Sequence, residues 1–337
     1  MIIRENVTLA SLTTLRVGGD AHFVIECIRP EDIVSGIQFA KERSLPWSVL
    51  GSGSNVLAKD EQYDGVVLLV RIPGIAAVES EDTVTLSVGA GVEWDTLVRE
   101  AAARELWGLE NLAGIPGTVG AAPVQNIGAY GAEVKDTIRS VDVFDTEKGE
   151  TYSMDAEDCA FAYRDSRFKR DSRFVILGVS FSLIRFAAPN IEYKDLQAAR
   201  EQGRDLSTPG AIGDAVRAIR ARKFPDLSVA GTAGSFFKNP TIPQKSFDVL
   251  KERYEALPGF PNEQGVKIPL AFILDQVLNL RGYAEGNVSL FENQPLVLVT
   301  ESGATQKEID VFVAGIAARV HDATGVTIER EVRNFPA

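Results

Sequence analysis

The run Gly114-Ile-Pro-Gly-Thr-Val-Gly-Ala-Ala-Pro-Val-Gln-Asn-Ile-Gly-Ala-Tyr-Gly131 constrains this chain more than any other segment. It holds five glycines and two prolines. Neither helix nor strand accommodates that mixture, because glycine raises the entropy cost of ordering and proline removes a backbone donor. Yet Ile115, Val119, Val124 and Ile127 are too apolar for a solvated linker. Two readings stand. One is a buried corner of tight turns. The other is a loop whose bare main chain comes within contact distance of a flat or phosphorylated ligand.

The chain has 337 residues, enough for two or three domains and a sizeable core. No run approaches the ~18 apolar residues of a membrane span, and Met1-Ile-Ile-Arg-Glu5 has no signal-peptide pattern. Only Cys27 and Cys159 occur, far apart, which fits a reducing cytoplasm. A formal net charge of −12 argues against nonspecific nucleic-acid binding and against an anionic membrane surface. An anionic small ligand needs only a local cluster of Arg and Lys. With His22 and His321 the only histidines, a multi-histidine zinc site is excluded and no metal is expected. Redox or acid–base chemistry must fall to other groups or to a cofactor.

Strand-like runs (Phe23–Ile28, Val66–Val70, Thr83–Val88, Val141–Phe144, Phe174–Leu183) alternate with isolated helical patterns. One helix follows Pro30, with Ile33, Ile37 and Ala40 on one face. A second holds Trp94, Leu97, Val98, Ala101 and Ala102. Single helices among strand pairs predict α+β subdomains rather than a regular parallel sheet. Phe186–Thr208 reads as polar loop. A helix then starts at Thr208-Pro209, with Ile212, Val216 and Ile219 sharing a face. Pro269 opens another, with Ile273, Leu274, Val277 and Leu278 apolar and Gly282 as its stop. Thr305 and Glu308 form a capping box for the last helix. Val326–Arg333 reads as a final strand. The main boundary is expected near residue 207.

Several segments could carry chemistry. Gly51-Ser-Gly53-Ser54-Asn55 follows an apolar strand, and such a turn can cradle phosphate oxygens. It is neither a dinucleotide fingerprint nor a Walker loop, and by itself it is more often only a turn. Gln125, Asn126 and Tyr130 end the glycine-rich run. Phe161-Ala-Tyr-Arg164-Asp-Ser-Arg167 alternates aromatics and cations. It is either a solvated loop or one guanidinium fixed in a cleft. Arg217, Arg220, Arg222 and Lys223 cluster at a helix C-terminus, which the helix dipole favours, and would also serve as a diphosphate clamp. Ser235, between Gly234 and two phenylalanines, is a candidate buried hydroxyl with no histidine base nearby in sequence.

Taken together and in order, six segments resemble the UDP-N-acetylenolpyruvoylglucosamine reductase family of flavoenzymes. They are Thr14-Leu-Arg-Val-Gly-Gly19, Gly51-Ser-Gly-Ser-Asn55, the glycine-rich run, Tyr163-Arg-Asp-Ser166, Gly234-Ser-Phe-Phe-Lys-Asn-Pro240 and Glu331-Val-Arg333. The likeness extends from about Thr14 to Phe335. It implies two α+β FAD-binding subdomains of the vanillyl-alcohol-oxidase type (residues 1–71 and 72–207). It also implies an α+β substrate-binding domain (208–337) whose last strand returns toward the flavin cleft.

The likeness further implies noncovalent FAD, NADPH as cosubstrate, and reduction of the enolpyruvyl ether of UDP-N-acetylglucosamine enolpyruvate to UDP-N-acetylmuramate for peptidoglycan. Arg164, Ser235 and Glu331 match the family's catalytic residues, Ser235 as proton donor. Gly51, Gly53, Ser54, Asn55, Ile115, Pro116, Gly117, Gly120, Ala121, Gln125, Asn126, Gly128 and Arg220 match its FAD site. Tyr193, Lys223, Asn239 and Gln294 match positions that bind substrate. A cytoplasmic monomer acting on a small nucleotide sugar, without nucleic acid or membrane, is expected.

Three departures stand out. Pro258-Gly-Phe260-Pro lies where longer relatives carry a substrate-contacting tyrosine, so the ring is kept and the hydroxyl lost. Arg281 replaces a lysine of some relatives, and Arg330 a proline of some. Two other functions are compatible with parts of the chain. One is a flavoenzyme of the same fold acting on an alcohol or hydroxy acid, and the other is a nucleotide-sugar binding protein without catalysis. The joint presence of Arg164, Ser235 and Glu331 argues against the second.

Overall fold

A computed structural model describes residues 1–336 of the chain. Main-chain contacts divide it into two compact units that are each discontinuous in sequence. The first comprises Met1–Asn6, His22–Ser52 and Asp64–Arg220. The second comprises Val7–Ala21, Gly53–Tyr63 and the chain from Ala221 onward.

The first unit is built on two sheets. One has four strands in the order Ile2–Thr8, Asp20–Cys27, Tyr63–Val70, Trp47–Leu50, the last two parallel with Trp47 opposite Val66. The apolar run in Tyr63–Val70 is buried from Gly65 to Val70, as a central strand covered on both faces must be. The Pro30–Glu42 helix buries Ile33, Ile37 and Ala40 on the expected face. The other sheet has five antiparallel strands in the order Glu150–Asp155, Ile138–Asp145, Phe174–Ile184, Thr83–Gly89, Ile75–Glu79. The Trp94–Ala103 helix buries Trp94, Leu97, Val98 and Ala101. One continuous apolar cluster, from Ile25 to Ile219, fills this unit.

The second unit has its own core, including Leu15, Val17, Phe236, Phe237, Leu298, Phe312 and Ile316. The Gln306–Thr324 helix carries the expected capping box, with Thr305 Oγ1 accepting from the Glu308 N–H at 3.2 Å. Three-stranded sheets form from 241–267 and from 284–300, and Arg333–Phe335 pairs in parallel with Val56–Ala58.

Three local expectations fail. The stretch read as polar loop contains a helix, Lys194–Glu201. Only Leu196 of it is buried, so it shows no apolar stripe although its residues are mostly good helix formers. The segment after Pro269 is one short helix, Leu270–Phe272, continued by a π-helix, Ile273–Val277. The final strand is shorter and later than predicted, Arg333–Phe335. Before it, Arg330 only bridges to Phe237. The α+β character holds throughout.

Candidate active site

In the first unit the glycine-rich run is an ordered corner of turns. Val119 is fully buried, Ile127 is 8% exposed, and Ile115 and Val124 pack on the core. Gly117 O accepts from Trp94 N–H, while Val119 and Gly120 N–H groups donate to Val92 and Ala90 carbonyls. That pairing explains Gly120, where a methyl would sit 2.6 Å from Ala90 Cβ. A methyl at Gly51 would lie 2.8 Å from Thr118 Oγ1 and 3.6 Å from Ala121 Cβ. The glycines are thus required in part by protein-to-protein crowding.

The start of the run is clamped. Asp95 Oδ1 accepts from Gly114 N–H at 2.7 Å, and Arg217 Nε donates to both Asp95 oxygens at 3.0 and 2.9 Å. Arg217 also reaches Asp214 at 3.0 Å. Arg220 Nε donates to Gly114 O at 2.9 Å. Burial opposes the Asp95 charge, but Arg217 and the Gly114 N–H outweigh it and hold its carboxyl below the usual range. Arg217, one of the cations grouped as a diphosphate clamp, is therefore engaged as a structural clamp on Asp95. Burial also weighs against the Arg220 charge, opposed by Tyr130 and Asp95.

The far end of the run holds Asn126, Gly128 and Tyr130. Asn126 is fully buried in the left-handed region (φ +45°). Its amide donates to Glu133 Oε2 at 2.9 Å and Ala162 O at 3.0 Å, and its oxygen accepts from Lys135 N–H at 3.1 Å. Three of its bonding positions are thus used inside the protein. Ser166, also buried, donates to Val124 O at 2.7 Å. These two bonds fasten the 161–166 loop to the glycine-rich run. Ala162 and Asp165 close a two-residue turn through reciprocal backbone bonds, with Arg164 at φ +53°, a position that turns of this kind usually give to glycine or asparagine. Arg164 Nη2 donates to Gly128 O at 2.7 Å. A methyl at Gly128 would come within 3.0 Å of Arg164 Nη1. Tyr130 is 7% exposed, and its ring meets that of Tyr193 edge-on at 5.2 Å.

The Gly51–Asn55 run crosses between the units after Ser52. Ser52 Oγ is buried and has no hydrogen-bond partner among the described residues. An orphaned buried hydroxyl fits a ligand that supplies an acceptor, as a phosphate does. Sequence reasoning named its neighbours but not Ser52, although it lies inside the same motif. Gly53 has φ +66°, and a methyl there would meet Leu12 O at 2.2 Å, so this glycine serves the backbone packing of its own unit.

In the second unit, Asn55 Nδ2 lies 3.5 Å from Glu331 O, and Arg333 N–H donates to Asn55 O at 3.3 Å. Glu331 N–H donates to Phe236 O at 2.8 Å, Lys238 N–H to Glu329 O at 2.9 Å, and Phe236 N–H to Leu296 O at 2.8 Å. Ser235 bridges to Val297 and is half-buried rather than buried. Main-chain pairing thus joins the segments carrying Asn55, Ser235, Glu331 and Gln294. Gln294 stands at the start of its strand, and Lys223 ends the Pro209–Lys223 helix. Asn239 Oδ1 accepts from Leu270 N–H at 2.9 Å and so caps a helix. Phe260 is 59% exposed. Arg281 pairs with Asp275 at 2.6 Å, and Arg330 with Asp310 at 2.5 Å.

Residues 21–155 match the FAD binding domain family, and residues 226–335 match the UDP-N-acetylenolpyruvoylglucosamine reductase C-terminal domain. The UDP-N-acetylenolpyruvoylglucosamine reductase of Ralstonia nicotianae is 42% identical over 98% of both chains. The chain belongs to the UDP-N-acetylenolpyruvoylglucosamine reductase family. The Bdellovibrio bacteriovorus relative of the same name is 37% identical over 98% of this chain and 99% of its own. Among solved structures, the reductase of Thermus caldophilus superposes with a TM-score of 0.67 at 24% identity, covering 99% of this chain and 100% of that one. The 6-hydroxy-D-nicotine oxidase of Arthrobacter nicotinovorans gives 0.53 at 13% identity, covering 91% and 81%. The fold joins an FAD-binding α+β domain to the reductase C-terminal domain. This member of the reductase family is an FAD-binding oxidoreductase. No helix among the described residues is long and apolar enough to cross a membrane.

Proposed function

We propose that this chain reduces UDP-N-acetylglucosamine enolpyruvate to UDP-N-acetylmuramate with NADPH as reductant, in the cytoplasm and as a monomer, for peptidoglycan synthesis. The observation that carries this reading is near-complete coverage by reductase relatives together with the joint presence of Arg164, Ser235 and Glu331. In this reading, residues 1–71 and 72–207 are the FAD-binding subdomains and 208–337 the substrate domain.

Noncovalent FAD would supply the hydride-transfer chemistry between NADPH and the enolpyruvyl substrate. Gly51, Gly53, Ser54, Asn55, Ile115, Pro116, Gly117, Gly120, Ala121, Gln125, Gly128 and Arg220 line its site in this assignment, and the Ser52 hydroxyl adds a donor. Asn126 acts there by fixing the loop, since its amide is engaged internally. Tyr193, Lys223, Asn239 and Gln294 hold the nucleotide sugar.

Reduction of the enol double bond leaves negative charge on the carbon next to the carboxylate, which is costly away from water unless fixed donors meet it. Arg164, whose guanidinium donates to Gly128 O, supplies the positive charge and donors that meet it. The carbanion-like carbon is strongly basic, so a weak acid such as the Ser235 hydroxyl can protonate it. Glu331 orients the substrate, because an added carboxylate would by itself oppose the developing anion. The deciding experiment separates the half-reactions of Ser235→Ala. Flavin bleaching by NADPH should keep its rate, and recolouring by UDP-N-acetylglucosamine enolpyruvate should slow roughly 10²–10⁴-fold, the range for a lost general acid. Equal losses in both steps would remove Ser235 from the proton transfer.

A further inference from the structure

We infer that Asn111 is a positioning residue that sets the place of Tyr193, and through it the affinity for the nucleotide-sugar substrate. This rests on the reading that Tyr193 touches that substrate. Asn111 is 2% exposed in a 3₁₀ turn, Glu110–Leu112. Its amide donates to Tyr130 O at 2.7 Å and to Asn190 O at 2.9 Å. Asn190 answers by donating its own amide to Gly131 O at 3.2 Å. The end of the glycine-rich run and the segment before Tyr193 are therefore joined by a double clip centred on Asn111.

That clip ties the segment to the glycine-rich run. Among the described residues, no helix or strand lies between Ile184 and Lys194. Tyr193 starts the Lys194–Glu201 helix, its carbonyl accepting from Leu196 and Gln197 N–H groups at 2.9 and 3.0 Å. Tyr193 is 44% exposed, and its ring meets that of Tyr130 edge-on at 5.2 Å and 78°. Tyr130 is a firm reference. It is buried at φ +49°, its phenol is pushed up to about 12 by burial, and its hydroxyl bonds to Arg220, which in turn holds Gly114 O. Asn111 thus fixes both things that determine where the Tyr193 ring stands: its chain, through Asn190, and its ring neighbour, through Tyr130.

The cost of keeping an amide here supports the role. Asn111 Oδ1 is buried with no hydrogen-bond partner among the described residues. An apolar residue would avoid that penalty but would strand the buried Tyr130 carbonyl and the part-buried Asn190 carbonyl. The donors are the reason for the residue.

The test uses the FAD-loaded enzyme. Asn111→Asp keeps the shape and loses the donors. Its KM for UDP-N-acetylglucosamine enolpyruvate should rise roughly tenfold, the scale of one or two lost hydrogen bonds. Meanwhile kcat, flavin content and bleaching by NADPH should stay within about twofold of wild type. Amide hydrogen exchange across 185–193 should accelerate. In a Tyr193→Ala background the Asn111 substitution should add nothing further to KM, since contacting residues that act through one another are not additive. Asn190→Ala, which loses one arm of the clip, gives a second and milder variant should Asn111→Asp fold poorly. Additive KM effects, unchanged exchange across 185–193, or loss of kcat and flavin with KM intact would each overturn the proposal. A wild-type enzyme that the substrate cannot reoxidise would overturn the functional reading instead, and the assignment of Tyr193 with it.

Discussion

Arg164 combines a left-handed backbone with the side chain proposed to meet the developing negative charge. Non-glycine residues in the left-handed region cost on the order of 1–3 kcal/mol; Arg164 sits there in the 161–166 loop, as do Asn126 and Tyr130 in the glycine-rich run to which that loop is fastened. Arg164→Gly should therefore change folding stability by less than about 1 kcal/mol, relief of strain offsetting the lost bond to Gly128. Recolouring by substrate should fall by roughly 10²–10³-fold. Thermal melts and stopped-flow absorbance read the two effects separately, and a large loss of stability would show that the turn depends on the guanidinium. The cysteines make the opposite case. Cys27 and Cys159 are fully buried, and burial pushes both thiols up to about 12. Native protein should take up no iodoacetamide at neutral pH, and denatured protein should take up two equivalents, one per cysteine. Labelling of native protein would contradict their burial. The motifs around Arg164 and Ser235 were legible in the sequence. The unpartnered hydroxyl of Ser52 was not, because partnership is a property of the folded surroundings.

Among the elements, the Trp94–Ala103 and Pro209–Lys223 helices act together on the glycine-rich loop through Asp95, Arg217 and Gly114. Each helix was readable from its apolar period, and the second also from Thr208-Pro209 at its start. The ion pair was not, since its partners lie 122 positions apart. Asp95 carries a pH signature. Its folded carboxyl lies below the ordinary range, so its contribution is fully present above the unfolded value and fades as pH falls through the folded one. Denaturation midpoints of wild type should drop below about pH 4 more steeply than those of Asp95→Asn. Parallel pH curves would mean the pair contributes nothing net. Arg217→Met should cost roughly 1–3 kcal/mol by leaving the Asp95 charge without its main partner. The Lys194–Glu201 helix escaped the sequence because a helix that buries one side chain leaves no periodic trace.

At the scale of the molecule, two separate apolar clusters occupy the two units. Calorimetry should accordingly give a measured unfolding enthalpy larger than the van't Hoff value, the sign of more than one cooperative step. Equal enthalpies would show that the two cores melt as one. Each unit is discontinuous in sequence, which a linear reading with a boundary near 207 cannot express. By itself the sequence determined the α+β character, the main helices, and the motifs that mark a family. These depend on local conformational preference and on which residue types are present. Only the tertiary structure decided how those residues are used: that Asn126 is spent on the 161–166 loop, that Arg217 is spent on Asp95, and that the Asn55 side chain meets a carbonyl 276 residues away at Glu331. Hydrogen bonds and close packing form between groups that the chain brings together from far apart, and that pairing has no local signature.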